Sequence, residues 1–333
     1  MKPASFRALW VTQASDKSFR RDIVEKPIDI LPPDDVLIRV HYSSLNYKDA
    51  LSATGNRGVT RSYPHVPGVD AAGTVVESRQ PEFQPGDEVI VTGHELGSNA
   101  WGGWSEFIRV PADWVVPLPK GLTLHESMCL GTAGLTAGLA ALKILNHGLT
   151  PDSGPILVTG ATGGVGCVAV AILAKLGFSV TAITGKEDEH PFLRSLGARD
   201  IFGRDHILDK TEKPLLSGRW AAVVDTVGGP LLESAIRQTR LEGAVACCGN
   251  IASAELHTSI YPFILRGVTL YGIGSAFTPM KTRLDVWKQL STDWKPEQLL
   301  SLAVNSSLEE LNTRYIDLIR GGGIRGRIVV TLV

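Results

Sequence analysis

The residues with the clearest chemical potential lie between Ile156 and Gly177. Ile156-Leu157-Val158-Thr159 has the pattern of a short buried strand. Gly160-Ala161-Thr162-Gly163-Gly164-Val165-Gly166 follows it, and then an apolar helical run that ends at Gly177. Strand, glycine loop and helix in that order make the first βα turn of a dinucleotide-binding unit. Gly160 permits the sharp turn off the strand, Gly163 or Gly164 lets the backbone approach a pyrophosphate, and Gly166 lets the helix pack close to the sheet. The helix start adds unpaired N–H groups and the positive end of its dipole, both suited to phosphate. A tight turn between two buried elements would also use glycine. The strand before the loop and the helix after it favour the binding site.

The end of the next strand selects the nucleotide. An NAD enzyme carries an acid there for the ribose 2′-OH, about 20 residues past the loop. Here Ser179 to Thr184 ends in Thr184-Gly185-Lys186, a hydroxyl, a bare backbone and a cation, which suit a 2′-phosphate. Glu187 is the competing acid, but it comes one residue late and is expected to point outward. NADPH is the expected cofactor.

Two other stretches carry reactive residue types. Ser43-Ser44-Leu45-Asn46-Tyr47-Lys48-Asp49 is polar and aromatic at once, and it admits two readings: a functional segment, or a turn that opens a short helix with Asn46 as its cap. Arg57 and Arg61 flank the same loop, either as phosphate contacts or as a solvated pair. Gly93-His94-Glu95-Leu96-Gly97 contains two zinc-ligand types. No cysteine precedes Cys129 and no second histidine stands at ligand spacing, so no metal site is expected and the loop reads as solvated.

The elements that must position these residues fall into two classes. From Phe6 to about Pro119 the chain is short strands and turns (Asp35 to His41, Ala71 to Glu77, Glu88 to Thr92, Ser105 to Val110), which indicates a compact β domain. Thr123 and Glu126 stand at capping-box spacing before an Ala/Gly-rich helix that runs to about Leu145. Gly131, Ala133, Gly134, Ala137 and Gly138 on that helix suggest close packing, in the core rather than on a ligand. After the glycine loop, strands at Ser179 to Thr184, Asp200 to Phe202, Ala221 to Asp225, Ala244 to Cys248 and Val268 to Tyr271 alternate with helices. That alternation implies a parallel, doubly wound sheet, with ligand-side residues at the carboxyl ends of its strands. Those residues are Thr184, Asp225 to Gly228, and Gly249-Asn250. Two amphipathic helices, around Thr282 to Leu290 and Leu308 to Ile319, precede the glycine-rich Gly321 to Arg327. A last strand, Ile328 to Leu332, is expected to return to the first domain. The expected division is 1–126 with 272–333 for the β domain and 127–271 for the nucleotide domain.

Composition excludes several classes. The 333 residues carry a net charge of -1, which argues against nucleic acid or an anionic membrane as partner. No apolar run is expected to reach membrane-spanning length, and Met1 to Phe6 lacks the apolar core of a signal peptide. The cysteines (Cys129, Cys167, Cys247, Cys248) form neither a disulfide framework nor a zinc pattern, which indicates a reducing cytoplasm. The glycine spelling also fits short-chain dehydrogenases, but the Tyr-xxx-Lys they require occurs nowhere in the chain.

The blocks SSLNYKDA (Ser43 to Ala50), VPGVDAAG (Val66 to Gly73), GTAGLT (Gly131 to Thr136), VTGATGGVG (Val158 to Gly166), DTVG (Asp225 to Gly228) and PFILR (Pro262 to Arg266) together resemble a known family. It is the zinc-free, quinone-reductase-like branch of the medium-chain dehydrogenases/reductases, and within it the NADPH-dependent acrylyl-CoA reductases. The resemblance implies a GroES-like catalytic domain, a Rossmann domain, a cleft between them and a homodimer. It also implies metal-free reduction of an α,β-unsaturated acyl-CoA, acrylyl-CoA to propionyl-CoA in type. A quinone or alkenal reductase, or a nucleotide-binding protein without turnover, are the alternatives. By position, Tyr47 matches the family's cofactor-proximal tyrosine and Asn46 joins it in the catalytic segment. Thr162, Gly163, Gly164, Val165 and Gly166 match the phosphate loop, Thr184, Gly185, Lys186 and Arg204 the 2′-phosphate side, and Asn250, Ile264 and Ser275 the nicotinamide side. Arg327 completes the cofactor set. Cys167 replaces a small hydroxyl residue after the loop, and His65 stands where an apolar residue is common.

Overall fold

The computed structural model describes residues 3–332, which divide into two compact units. The first contains the chain up to Thr132, Ala276–Ser291 and everything from Leu299 onward; the second contains Ala133–Ser275 and Thr292–Gln298. The first unit begins with an antiparallel hairpin of β1 (Ser5–Gln13) and β2 (Phe19–Pro27). Then come β3 (Val36–Ser44), the short helix α1 (Tyr47–Ala53), β4 (Asp70–Ser78), β5 (Glu88–Thr92), β6 (Phe107–Val110) and β7 (Val115–Pro117).

Helix α2 (Leu124–Asn146) starts on the anticipated capping box: Thr123 N–H donates to Glu126 at 2.9 Å, and Glu126 N–H to the Thr123 hydroxyl at 3.1 Å. Its most apolar window has a mean hydropathy of 1.6, so by length and composition it could cross a membrane, contrary to the expectation that no run is long enough. The physical reason is burial on all sides. Of that window 78% is packed inside the protein, so no polar face is needed.

The second unit is built on β8 (Ile156–Val158), α3 (Gly164–Lys175), β9 (Val180–Ile183), α4 (His190–Ser195), β10 (Asp200–Phe202), β11 (Trp220–Asp225), α5 (Gly229–Arg237), β12 (Thr239–Cys247), α6 (Tyr261–Arg266) and β13 (Thr269–Gly272). Its strands pair in parallel in the order β10-β9-β8-β11-β12-β13. This is the doubly wound Rossmann order, whose direction reverses between β8 and β11. All three residues of β8 and all six of β11 are buried, as a sheet covered on both faces requires.

The chain returns to the first unit with α7 (Met280–Leu290) and β14 (Ala303–Ser306). The expected helix from Leu308 is α8 (Leu308–Glu310), a π-helical turn at Leu311–Tyr315 and α9 (Ile316–Arg320). Strand β15 (Arg327–Thr331) lies antiparallel to β3, which fulfils the expected return to the first domain. The mixed sheet runs β14-β15-β3-β4-β5-β7, with β6 also on β3. This is the GroES-like partner of the Rossmann unit.

Candidate active site

In the second unit, β8 and β11 are tied together at their carboxyl ends. Thr159 Oγ1 donates to Asp225 at 2.6 Å, Thr226 N–H donates to Thr159 Oγ1 at 3.1 Å, and Thr226 Oγ1 donates to Thr159 O at 2.9 Å. Asp225 also accepts from the Gly228 N–H at 2.8 Å, which fixes the turn into α5. Burial pushes the Asp225 carboxyl above its ordinary pKa, against these donors. Gly160 leaves the strand at φ +59, where a side chain would be strained and its Cβ would stand 2.3 Å from Thr226 Oγ1. A Cβ on Gly166 would meet Gly160 O at 2.3 Å, so α3 packs against the loop at a distance only glycine allows. The start of α3 thus faces the point where strand order reverses, the place where phosphate binds in such sheets.

The expected 2′-phosphate residues converge. Thr162 and Thr184 hydroxyls lie 3.4 Å apart, and the Lys186 N–H donates to Thr184 Oγ1 at 3.1 Å. A Cβ on Gly185 would come within 3.3 Å of Arg204 Cζ, so the guanidinium lies over bare backbone. Gly185, Arg204 and Glu187 are exposed; burial pulls the Lys186 ammonium below its usual pKa. Asn250 is exposed, on a loop whose Gly249 backbone closes on Thr226 O. Ser275 Oγ accepts from Thr136 Oγ1 at 2.9 Å. Ile264 on α6 is 61% exposed. These residues offer hydroxyls, cations and open backbone to a phosphorylated ribose, so they fit NADPH chemically.

In the first unit, Tyr47 is the first residue of α1 and is half-buried. Asn46, just before it, is drawn into a buried cluster. Its Nδ2 lies 2.8 Å from Asp70 Oδ2 and 3.2 Å from both Asp49 Oδ2 and Ser44 Oγ, while its Oδ1 accepts from Arg327 Nη1 at 3.0 Å. The Asn46 backbone N–H donates to Asp49 at 2.8 Å, one arm of a capping box. Asp70 accepts from the Ser44 hydroxyl at 2.5 Å, and from the Thr132 hydroxyl at 2.6 Å and its N–H at 2.9 Å. Arg327 Nη2 donates to Ser44 Oγ at 2.8 Å and stands 3.7 Å from Asp70 Oδ2. Ser44, Asp49 and Asp70 are fully buried and Arg327 nearly so. Burial, and then Asp70, push the Asp49 carboxyl up to about 7. Gly131 makes room: at φ +53, a Cβ there would stand 2.5 Å from Asp70 Oδ2 and 2.9 Å from Arg327 Nη2. Arg327, expected among the cofactor residues, donates to Leu45 O, Asn46 Oδ1 and Ser44 Oγ and pairs with Asp70, while its buried Nε has no hydrogen-bond partner.

Several expectations change. The loop at His94 is not solvated. The ring is half-buried, stacked on Trp114 at an interplanar angle of 6°, and burial lowers its pKa to about 4. Among the described residues, no group of three or more His, Cys, Asp and Glu is placed to hold a metal ion. Arg57 and Arg61 are both exposed and paired: Arg57 donates to Arg61 O and to Gln13, with its guanidinium over Phe19 and Tyr63. His65 is buried in a bridge with Val11, its pKa lowered by burial to about 4. Cys167 is buried, its Sγ directed at Gly164 O. Asp49 ends the candidate segment and Asp70 lies within VPGVDAAG, but neither is among the expected catalytic or cofactor residues. The available signal was an acid set among small and apolar residues in VPGVDAAG, a place where a solvated acid has no business.

Two family models match the chain, "Alcohol dehydrogenase GroES-like domain" over residues 32–120 and "Zinc-binding dehydrogenase" over 164–290. "Acrylyl-CoA reductase AcuI" of Ruegeria pomeroyi is 42% identical over 327 residues, 98% of each chain. "Putative quinone oxidoreductase YhfP" of Bacillus subtilis is 46% identical over 303 residues, 91% of this chain and 92% of the relative. The chain belongs to the medium-chain dehydrogenase/reductase family. Within it, the Salmonella enterica yhdH oxidoreductase, solved in complex with NADP, superposes with a TM-score of 0.95 at 40% identity over 98% of this chain and all of that one. The Bacillus subtilis yhfP structure, solved with NAD bound, gives 0.96 at 43% identity over 99% of this chain and all of that one. These medium-chain relatives span the length of this chain, so both units are common to them.

Proposed function

We propose that this protein reduces the C=C bond of an α,β-unsaturated acyl-CoA, acrylyl-CoA to propionyl-CoA in type, with NADPH and without a metal. The observation that carries the cofactor is the Arg204 guanidinium over Gly185, with Thr184 and Lys186 alongside. The relative solved with NADP supports it. The full-length identity to an acrylyl-CoA reductase supports the substrate.

Bound NADPH supplies a hydride from its nicotinamide. The Gly163 to Gly166 loop and the start of α3 would hold the pyrophosphate through backbone N–H groups, and Arg204, Lys186 and Thr184 would hold the 2′-phosphate. Asn250, Ile264 and Ser275 would lie on the nicotinamide side. Reduction of a double bond conjugated to a thioester places negative charge on the thioester oxygen, and a proton must reach the α-carbon. Tyr47 donates a hydrogen bond to that oxygen or delivers that proton. Asn46 acts by position, because its amide is consumed by Asp49, Asp70 and Arg327. The free thiols fit a reducing cytoplasm, and exposed Ile260 and Leu265 fit a homodimer surface, which light scattering would reveal.

The deciding experiment measures NADPH oxidation with acrylyl-CoA, crotonyl-CoA and a quinone in parallel. Turnover of the thioesters well above the quinone is the expected result. Quinone turnover alone overturns the acyl-CoA reading in favour of the activity in the YhfP name. NADPH binding without any turnover would leave a nucleotide-binding protein.

A further inference from the structure

Two carboxylates and one guanidinium, all buried, surround the segment that leads into Tyr47, and the reaction described above uses none of them directly. Asp70 joins four places in the first unit: the end of β3 through Ser44, the start of α1 through Asn46, the kink of α2 through Thr132, and β15 through Arg327. Asp49 closes the cluster from inside α1, accepting the Asn46 and Val69 N–H groups, both at 2.8 Å. So many charge-assisted bonds on so short a segment exceed what a seven-residue helix needs for its cap.

We propose that Asp70 is a positioning residue for Tyr47: through Ser44 and Asn46 it locks the backbone from which the Tyr47 ring projects, with Arg327 neutralising its buried charge. The proposal rests on Tyr47 acting at the substrate. Asp70 itself lies fully buried and is not a catalytic residue. The geometry explains the cluster's composition. A buried carboxylate needs several donors and a cation, and Ser44, Thr132, Asn46 and Arg327 supply them. Gly131 is the concession that lets the carboxylate sit against α2.

The test compares Asp70→Asn, the milder Ser44→Ala, Tyr47→Phe and the two doubles with Tyr47→Phe in the full-length protein. The acceptor is whichever of acrylyl-CoA, crotonyl-CoA or a quinone the wild type reduces fastest. A displaced reacting group costs on the order of ten- to hundredfold. Asp70→Asn is therefore expected to lower kcat by that factor while KM for NADPH stays within about twofold. Ser44→Ala should produce a smaller loss of the same kind, which keeps the test open if Asp70→Asn does not fold. Each double should be no slower than its slower single, since a group already misplaced cannot be lost again. Amide hydrogen exchange across residues 46–50 should rise in both single variants at Asp70 and Ser44. Independent, multiplying losses in kcat, or unchanged exchange in α1, overturn the proposal. If Tyr47→Phe alone leaves kcat unchanged, the role of Tyr47 fails, and exchange in α1 still decides whether Asp70 holds the segment.

Discussion

The Arg204 guanidinium lies over Gly185 so closely that a Cβ at 185 would stand 3.3 Å from both its Cζ and its Nε. Gly185 is exposed, and so is Arg204, so the guanidinium stands over an open stretch of backbone beside Thr184 and Lys186.

Removal of either cation should cost NADPH selectively. A charge-assisted hydrogen bond to the 2′-phosphate contributes about 1.5–3 kcal/mol, so Arg204→Ala and Lys186→Ala should each raise KM for NADPH about tenfold or more. KM for NADH should hardly move, since NADH presents no phosphate there. Equal use of both nucleotides by the wild type, as the NAD-bound Bacillus subtilis relative makes worth checking, would reassign the ribose to Glu187.

Tyr47→Phe keeps the ring and removes the hydroxyl. If that hydroxyl acts only in the transition state, kcat and kcat/KM fall together. An unchanged kcat in steady-state assays would reduce Tyr47 to a packing residue.

Gly131→Ala should destabilise the first unit. Its φ of +53 with ψ of -153 is a region open almost only to glycine, and the new Cβ would collide with Asp70. Strain of about 1–3 kcal/mol, plus the clash, should appear as a lower chemical-denaturation midpoint. A midpoint equal to wild type would mean that the cluster can relax around a side chain.

Buried titratable groups in the first unit should shape stability against pH in opposite ways. His65 and His94, held down to about 4 in the fold, bind fewer protons than in the unfolded chain. Their contribution is full above the ordinary histidine pKa and is lost as pH falls from about 6.5 toward 4. Asp49, held up at about 7, binds more protons when folded, so it favours the fold at low pH and costs stability as pH rises from about 4 to 7. Replacement of His65 by Gln should flatten the acid limb of a pH–stability curve, and an unaltered limb would show that His65 does not titrate on unfolding.

Exhaustive chelation should leave activity intact. The chain has no cysteine before Cys129, and His94 is packed on Trp114 rather than grouped with other donors. Stoichiometric zinc in the purified protein, lost together with activity, would refute this.

The sequence alone determined the Rossmann half. The strand, glycine loop and helix from Ile156 onward are a local pattern, and β9 to β13 each overlap a short strand expected between helices. The mixed sheet was legible as short strands, and the return of the last strand to the first domain could be anticipated. Core packing of α2 was legible in its Gly and Ala residues, but that it would be long and apolar enough to pass for a membrane span was not anticipated. The family resemblance had already grouped Arg204 with Gly185, whereas tertiary structure alone gathered Ser44, Asn46, Asp49, Asp70, Thr132 and Arg327. Asp70 and Thr132 are 62 positions apart, and Ser44 and Arg327 are 283 apart. Local periodicity reports which face of an element is buried. It does not report which distant polar group meets it there, because that partner is chosen by how strands from remote parts of the chain align side by side.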